Sequence, residues 1–542
     1  MNTGKYLTAC AVLLFGAVFS GVSAAMDPLR KADELPASLE RKVKDFQAGL
    51  QAGEYEVARG YWTLWTVDDC RFPLQTIGSC YGNNPTAPYV LAIVPHWNDE
   101  FVDRSLRRTL TDDWGNMSPN YRLGEREALV VLAELPPPAR YFGIQTNVFT
   151  REAQLNPNDP VYRLLNEHPR LKELQAIVFE SSPNPSRRML VASIGNSTNN
   201  VVIEQQSKEN WGQQRFFVIT PDEAMAAAMT NALAGVDGIE ASQVFTEPVS
   251  PKLVRVGYGH QADDLITYIR YAMPNDNALG EQWRQQLPLT ILRVRDKKGG
   301  NALRPFDIPK YEERIANTDE QMLKEDLSKL VAAVKEHWGQ TRGDNSSEFR
   351  SLSLWVDLIG QHCLGYDGRP QPQPPITLPR GPMNCLGDGQ DADYQISSGT
   401  FHIDDDQVVA VVGTLGTKTG NATYTSLSVN WFPQLVGVVN RDDAVLEESA
   451  KKFKDKLTSP DLYKKFYVYY FARDCTGLYP WCQEIPRTLI PRGDTMKILQ
   501  RNYVNPPSES YPDSRRGPDP RKVLNPISIE FDGSEGKRPT MR

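Results

Sequence analysis

A chain of 542 residues with 40% hydrophobic and 23% charged side chains has the balance of a globular protein and the length for a large core. Its 60 basic against 67 acidic residues leave a net charge of −7. That excludes the cationic surface that draws phosphate backbones, so nucleic acid is not an expected partner.

The first 25 residues read as a cleavable signal peptide: Lys5 is the positive start, Tyr6 to Val22 the apolar run, and Ser23-Ala24-Ala25 the small-residue cleavage site. A retained anchor is disfavoured because Gly16 and Gly21 interrupt the run. A lipid-attachment box at Cys10 has too little hydrophobic sequence ahead of it. No later stretch approaches the roughly 18 apolar residues of a membrane span. The expected destination is therefore outside the cytoplasm, in the periplasm or the extracellular medium. Six cysteines remain after cleavage, in three close pairs: Cys70 with Cys80, Cys363 with Cys385, and Cys475 with Cys482. An even count in an exported chain favours disulfides, with neighbour pairing inferred from proximity. The ligand spacing of structural zinc sites is absent.

Residues 26–58 are expected to form a helical lead, because Leu39, Val43, Phe46 and Leu50 recur at three- and four-residue steps. An N-terminal α+β domain over 59–305 follows. Its expected strands are Gly60–Val67, Tyr89–Val94, Ala128–Leu132, Tyr141–Phe149, Ala176–Phe179, Met189–Ile194, Val201–Ile203, Phe216–Ile219, Leu253–Val256 and Leu289–Val294. Thr220-Pro221-Asp222-Glu223 starts a helix that Gly235 stops, and Asp263–Ala272 reads as a second. Residues 306–345 hold a connecting amphipathic helix, with a Thr318/Gln321 capping box and an apolar face of Leu323, Leu327, Leu330 and Val334. A C-terminal β-rich domain spans 346–504. In it Tyr394–Ile403 and Val408–Leu415 form a hairpin across Asp404-Asp405-Asp406, Thr423–Trp431 is a strand, and Asp443–Lys456 a charged helix with Glu447/Lys451 and Glu448/Lys452 pairs. Residues 505–542 read as an extended tail in which Val523–Phe531 could dock. The fold class is α+β, with β-rich, sandwich-like layers and packed helices in two domains.

Pro138 to Thr146, Arg270-Tyr271-Ala272-Met273-Pro274 and Arg293-Val294-Arg295 resemble the pattern of exported bacterial proteins of unknown function built from β-sandwich layers. The resemblance implies a bacterial envelope protein and carries no chemistry to transfer.

Candidate sites come from the residues alone. His96 with Asp99, after the Tyr89–Val94 strand, and His260 with Asp263 could each offer a base beside a carboxylate; the plainer reading of both is a capped or hydrogen-bonded turn. Asp388, Asp391 and Asp393 with Asp404 and Asp406 could supply the oxygens of a hard cation, with calcium the ion they would suit, against the plainer reading of Asp404–Asp406 as a solvated turn. Tyr479 and Trp481, inside the Cys475/Cys482 loop, are candidate ligand-stacking rings. Nucleophile elbow, phosphate loop, HExxH and dinucleotide signatures are missing. The expected function is a disulfide-stabilised exported protein that binds a small molecule, glycan or protein partner. The alternative is an extracellular hydrolase or lyase using His96/Asp99 or a metal in the 388–406 cluster.

Overall fold

In a computed structural model the chain is described over residues 35–53, 55–107, 109–111, 115–168, 172–299, 302–339, 346–353, 360–366, 381–432 and 434–533. Residues 1–25, expected as a signal peptide, most of the proline-rich stretch before Cys385 and the end of the tail lie outside the described residues.

The first sheet comprises β1 (Tyr55–Trp65), β2 (Tyr89–Pro95), β3 (Met117–Ser118), β4 (Glu127–Glu134), β5 (Ala139–Glu152), β6 (Arg187–Ser193), β7 (Thr198–Asn199), β8 (Gln214–Thr220), β9 (Val244–Pro248), β10 (Asp264–Pro274) and β11 (Leu289–Asp296). Its order is β6-β5-β10-β2-β1-β11-β4-β8-β9, with β3 on β2 and β7 on β5. Among the described strands of this sheet only β8 and β9 pair in parallel. The near-continuous apolar run of β4 is explained by cover on both faces. On one side the helices Ala37–Ala52 and Glu223–Ala234 lay Leu39, Phe46, Met229 and Leu233 on Val130, Leu132, Phe216 and Val218. On the other, Leu129 and Phe217 share one cluster with Phe142, Ile144 and Leu265 from the far end of the sheet. Strands distant in the order can meet in one cluster because the sheet curls.

The remaining strands are β12 (Ser346–Glu348), β13 (Arg350–Ser351), β14 (Ala392–Ile396), β15 (Phe401–His402), β16 (Gln407–Thr414), β17 (Tyr424–Phe432), β18 (Val436–Asp442), β19 (Phe466–Ala472), β20 (Cys482–Glu484), β21 (Thr495–Tyr503) and β22 (Ile527–Asp532). They form a second sheet, β12-β22-β16-β19-β20, and a third, β13-β14-β21-β17-β18 with β15 on β21. Val409, Val411 and Phe471 of the second meet Leu427, Val429, Met496 and Ile498 of the third. The opposite face of the second sheet, Val408, Ala410, Val412 and Val468, is covered by Leu327, Leu330 and Val334 of the helix Lys324–Trp338. The chain is thus an α+β protein of layered sheets and packed helices. Among the described residues no helix is long and apolar enough to cross a membrane.

Several expectations need correcting. Asp263–Ala272 is a strand: β10 pairs with β5 along most of its length, and that pairing overrides a helical reading of a segment holding Ile266, Thr267 and Ile269. Val201–Ile203 lies in the helix Asn200–Ser207, capped by Asn199, whose side chain accepts from Val201 N and Val202 N at 3.1 and 3.2 Å. Ala176–Phe179 overlaps the helix Lys172–Val178, and Leu253–Val256 is a turn rather than a strand. The expected hairpin is split, since β14 and β15 pair with β21 whereas β16 pairs with β19 and β22. The charged helix stops after Asp443–Leu446, where Glu448 takes φ 67°; the ion pairs there are Glu448–Lys451 and Glu447–Lys418. The two caps come from Asp222 and Asp319 rather than Thr220 and Thr318. The expected docking of Val523–Phe531, by contrast, is met: β22 lies between β12 and β16.

Candidate functional site

The three disulfides pair neighbours: Cys70–Cys80, Cys363–Cys385 and Cys475–Cys482, with Cα separations of 5.3, 5.9 and 5.7 Å. Each joins residues whose backbones are otherwise in turns or short elements. Cys363 and Cys385 pack into the core of the first sheet, where Cys385 N donates to Leu190 O at 2.7 Å.

His96 follows the end of β2 and is buried, its backbone N–H held by Asn116 O at 2.9 Å. Its partner is Glu100, not Asp99: Nδ1 lies 3.4 Å from Glu100 Oε1. Glu100 also accepts from Trp97 N (3.1 Å), Arg122 N (2.9 Å) and Arg293 Nη1 (2.6 Å). Burial pushes this carboxyl up, but contact with His96 and the Arg293 charge outweigh it and hold it at about 2. Asp99 faces outward and grips Arg295 with both oxygens at 2.8 and 2.9 Å. Local geometry separates the expected pair because adjacent residues in this turn point to opposite sides, one into the sheet and one to solvent.

His260 and Asp263 are likewise not partners. His260 is half exposed, with Nδ1 at 3.1 Å from Glu152 Oε1. Asp263 is buried against Arg151 Nε at 2.9 Å and accepts Arg255 N at 2.8 Å.

The acidic cluster is dispersed. Asp388 accepts Ser193 N and Oγ, both at 2.7 Å, and burial pushes its carboxyl up to about 7. Asp391 takes Arg270 Nη2 at 2.9 Å and the Tyr141 hydroxyl at 2.7 Å, while Asp393 takes Ser351 Oγ at 3.0 Å. Asp404–Asp406 form the turn before β16. There Asp405 meets Arg487 at 2.5 Å and lies in the field of Arg473 and Arg492, so guanidinium groups occupy the surroundings a cation would need. No group of three or more His, Cys, Asp or Glu side chains able to hold a metal occurs among the described residues. Tyr479 is 58% exposed, with its hydroxyl on Glu484 at 2.6 Å, whereas Trp481 is half-buried against two core clusters.

Sequence reasoning overlooked a cleft of about 370 Å³ lined by Glu313, Arg314, Ile315, Tyr511, Asp519, Arg521 and Lys522. Its walls come from the segment before the long helix and from the tail, tied together by Asp519 N to Ile315 O (3.1 Å) and Glu320 N to Lys522 O (2.9 Å). Arg314 is buried at its floor, with Nη1 on Ala392 O at 2.8 Å. Arg521 is held by Asp519 at 2.9 and 3.0 Å. Burial pushes the Asp519 carboxyl up, yet its bonds from Arg521 outweigh this and leave it below the ordinary value. Among the described residues neither Glu313 nor Lys522 has an ion-pair partner, although Lys522 lies in the field of Asp519. The cleft thus presents one unpaired charge of each sign beside the Tyr511 ring. The one sequence signal was Arg515, Arg516, Arg521 and Lys522 close after Tyr511, in a tail too polar to read as structure.

Arg270 and Arg293, which the sequence offered only as part of the resemblance, are buried within β10 and β11.

No family model matches the chain, and no curated protein does. Among solved structures it is similar to an uncharacterised protein from Burkholderia cenocepacia, at 10% identity over 91% of this chain and 94% of that one, with a TM-score of 0.34.

Proposed function

We propose that this chain is an exported protein that binds a small zwitterionic molecule, of the amino-acid or short-peptide class, in the cleft between residues 313–315 and 511–522. The supporting observation is the cleft itself. Its volume suits a small ligand, and Glu313 and Lys522 offer an unpaired carboxylate and ammonium to groups of opposite charge, with Tyr511 beside them. Export is supported by the three disulfides, which persist where thiols oxidise. Hydrolase or lyase chemistry draws no such support, since His96 and Asp99 face different partners and the 388–406 carboxylates do not converge.

The reading is tested by calorimetric titration of the mature chain with a panel of free amino acids and dipeptides. Saturable binding weakened about tenfold or more by Lys522→Ala or Glu313→Gln supports it. No binding across the panel contradicts it, as does binding indifferent to both substitutions.

A further inference from the structure

Between the first and third sheets, away from the cleft, a buried arginine lies close to a group of tyrosines. Tyr89 of β2 pairs with Arg270 of β10, two residues from Tyr268 and so on the same face; Tyr394 of β14 pairs with Arg501 of β21. Arg501 is 2% exposed, and its guanidinium donates to Ser428 Oγ at 2.6 Å and to Gly82 O at 2.9 Å. Gly82 stands at φ 65°, a conformation that a side chain would strain, in the loop pinned by Cys70–Cys80.

No carboxylate among the described residues forms an ion pair with Arg501. Five other buried arginines contrast with it: Arg122 and Arg187 meet Asp264, Arg151 meets Asp263, Arg270 meets Asp391, and Arg293 meets Glu100 and Glu127, while Arg215, which bonds a hydroxyl and two carbonyls, lies in the field of Glu209. A buried charge without a counter-charge is costly, so an uncompensated guanidinium inside a folded protein needs an explanation.

Its surroundings supply one. Tyr89 and Tyr394 both lie within the electrostatic reach of Arg270 and Arg501. Tyr89, Tyr268 and Tyr394 lie deep in the protein, yet each keeps part of its surface accessible. Burial raises the hydroxyls of all three above the ordinary value, which keeps them protonated and able to donate. Next to them Arg270 Nε and Gln145 Nε2, both buried, have no acceptor. Tyr89 and Tyr268 pack edge to face at 5.4 Å, with Trp65 against Tyr89 at 6.0 Å and the Arg270 guanidinium 5.8 Å over the Tyr268 ring, so the surroundings are those of flat groups.

We propose that this inter-sheet space is an internal site for a small planar monocarboxylate, whose carboxylate neutralises Arg501 and whose body lies among Tyr89, Tyr268 and Tyr394. A single uncompensated charge selects a monoanion over a phosphate dianion, and a guanidinium fork matches carboxylate geometry.

Benzoate is the probe, titrated into the mature chain by calorimetry, with thermal unfolding recorded in parallel. The expected result is saturable binding that raises the melting temperature. Arg501→Met should melt no lower than the wild type without ligand, because it removes an unpaired buried charge, and should bind benzoate about tenfold or more weakly. Tyr394→Phe keeps the ring, and should fold normally and bind more weakly than the wild type. The proposal is overturned if the wild type shows no saturable binding, if Arg501→Met binds as tightly as the wild type, or if it melts lower or fails to fold. The last pair of results would make Arg501 a purely structural hydrogen-bond centre. Binding abolished by Lys522→Ala would place benzoate in the cleft and likewise overturn the inter-sheet site.

Discussion

Glu247 accepts the backbone N–H of Thr146 at 2.7 Å and its hydroxyl at 2.9 Å, joining β9 at one end of the first sheet to β5 near the other. This contact spans the curl of the sheet. The carboxyl is fully enclosed, and burial raises it to about 7 against the Thr146 hydrogen bonds. Glu247→Gln keeps an acceptor for Thr146 without a charge to desolvate, so it should equal or exceed the wild type in stability above pH 7. Glu247→Ala leaves the Thr146 N–H without its partner and should cost about 1–3 kcal/mol in chemical denaturation.

The same physics sets the dependence of stability on pH. Glu180, Glu247 and Asp388 are each raised to about 7, chiefly by burial. Their contribution is fully present below the ordinary values of 4.5 and 3.8 and is lost as pH rises through 7. Glu100, lowered to about 2, works the other way: its contribution is present above 4.5 and lost as pH falls through 2. Melting temperature should therefore peak at weakly acidic pH. A scan from pH 3 to 9 checks this, and the fall on the alkaline side should shrink in Glu247→Gln.

Leu330 is fully buried where the helix Lys324–Trp338 crosses the second sheet. Leu330→Ala removes that contact and leaves a cavity, for an expected loss of about 2–5 kcal/mol in denaturant unfolding.

Glu320 accepts Thr414 Oγ1 (2.7 Å), Thr419 Oγ1 (2.6 Å), Asn421 Nδ2 (2.9 Å) and Leu524 N (3.0 Å), linking β16, the turn after it and the approach to β22. It also donates its backbone N–H to Lys522 O beside the cleft. Glu320→Ala orphans these donors together and should cost about 3 kcal/mol or more. Amide exchange should rise around residues 519–525 before it rises in the first sheet.

Replacing Cys363 and Cys385 together by alanine releases a 22-residue separation and should cost about 3 kcal/mol on the chain-entropy estimate. Unfolding with and without reductant measures it, and the double variant should lose most of the sensitivity that this bridge contributes.

What was legible in the sequence was whatever local pattern alone decides. The Leu39–Leu50 stripe, the Leu327–Val334 face and the run of β4 all matched the core they enter, because periodicity reports which face is buried. Neighbouring cysteines paired as proximity suggested. Illegible were outcomes decided by distant partners. Asp263–Ala272 became a strand through β5, and Tyr394–His402 and Val408–Thr414 joined different sheets because β21 and β22 arrive from far along the chain. The same limit governed the sites. His96 and Asp99 adjoin in sequence but turn to Glu100 and Arg295, and the cleft unites residues 313–315 with 511–522.

Ligand occupancy of that cleft is decided most directly by a crystal structure of the chain lacking residues 1–25, soaked in the tightest-binding amino acid or dipeptide from the titration panel. Density bridging the Glu313 carboxylate and the Lys522 ammonium, absent from crystals of Lys522→Ala soaked identically, is the predicted result. An empty cleft in crystals whose ligand binds elsewhere would contradict the account.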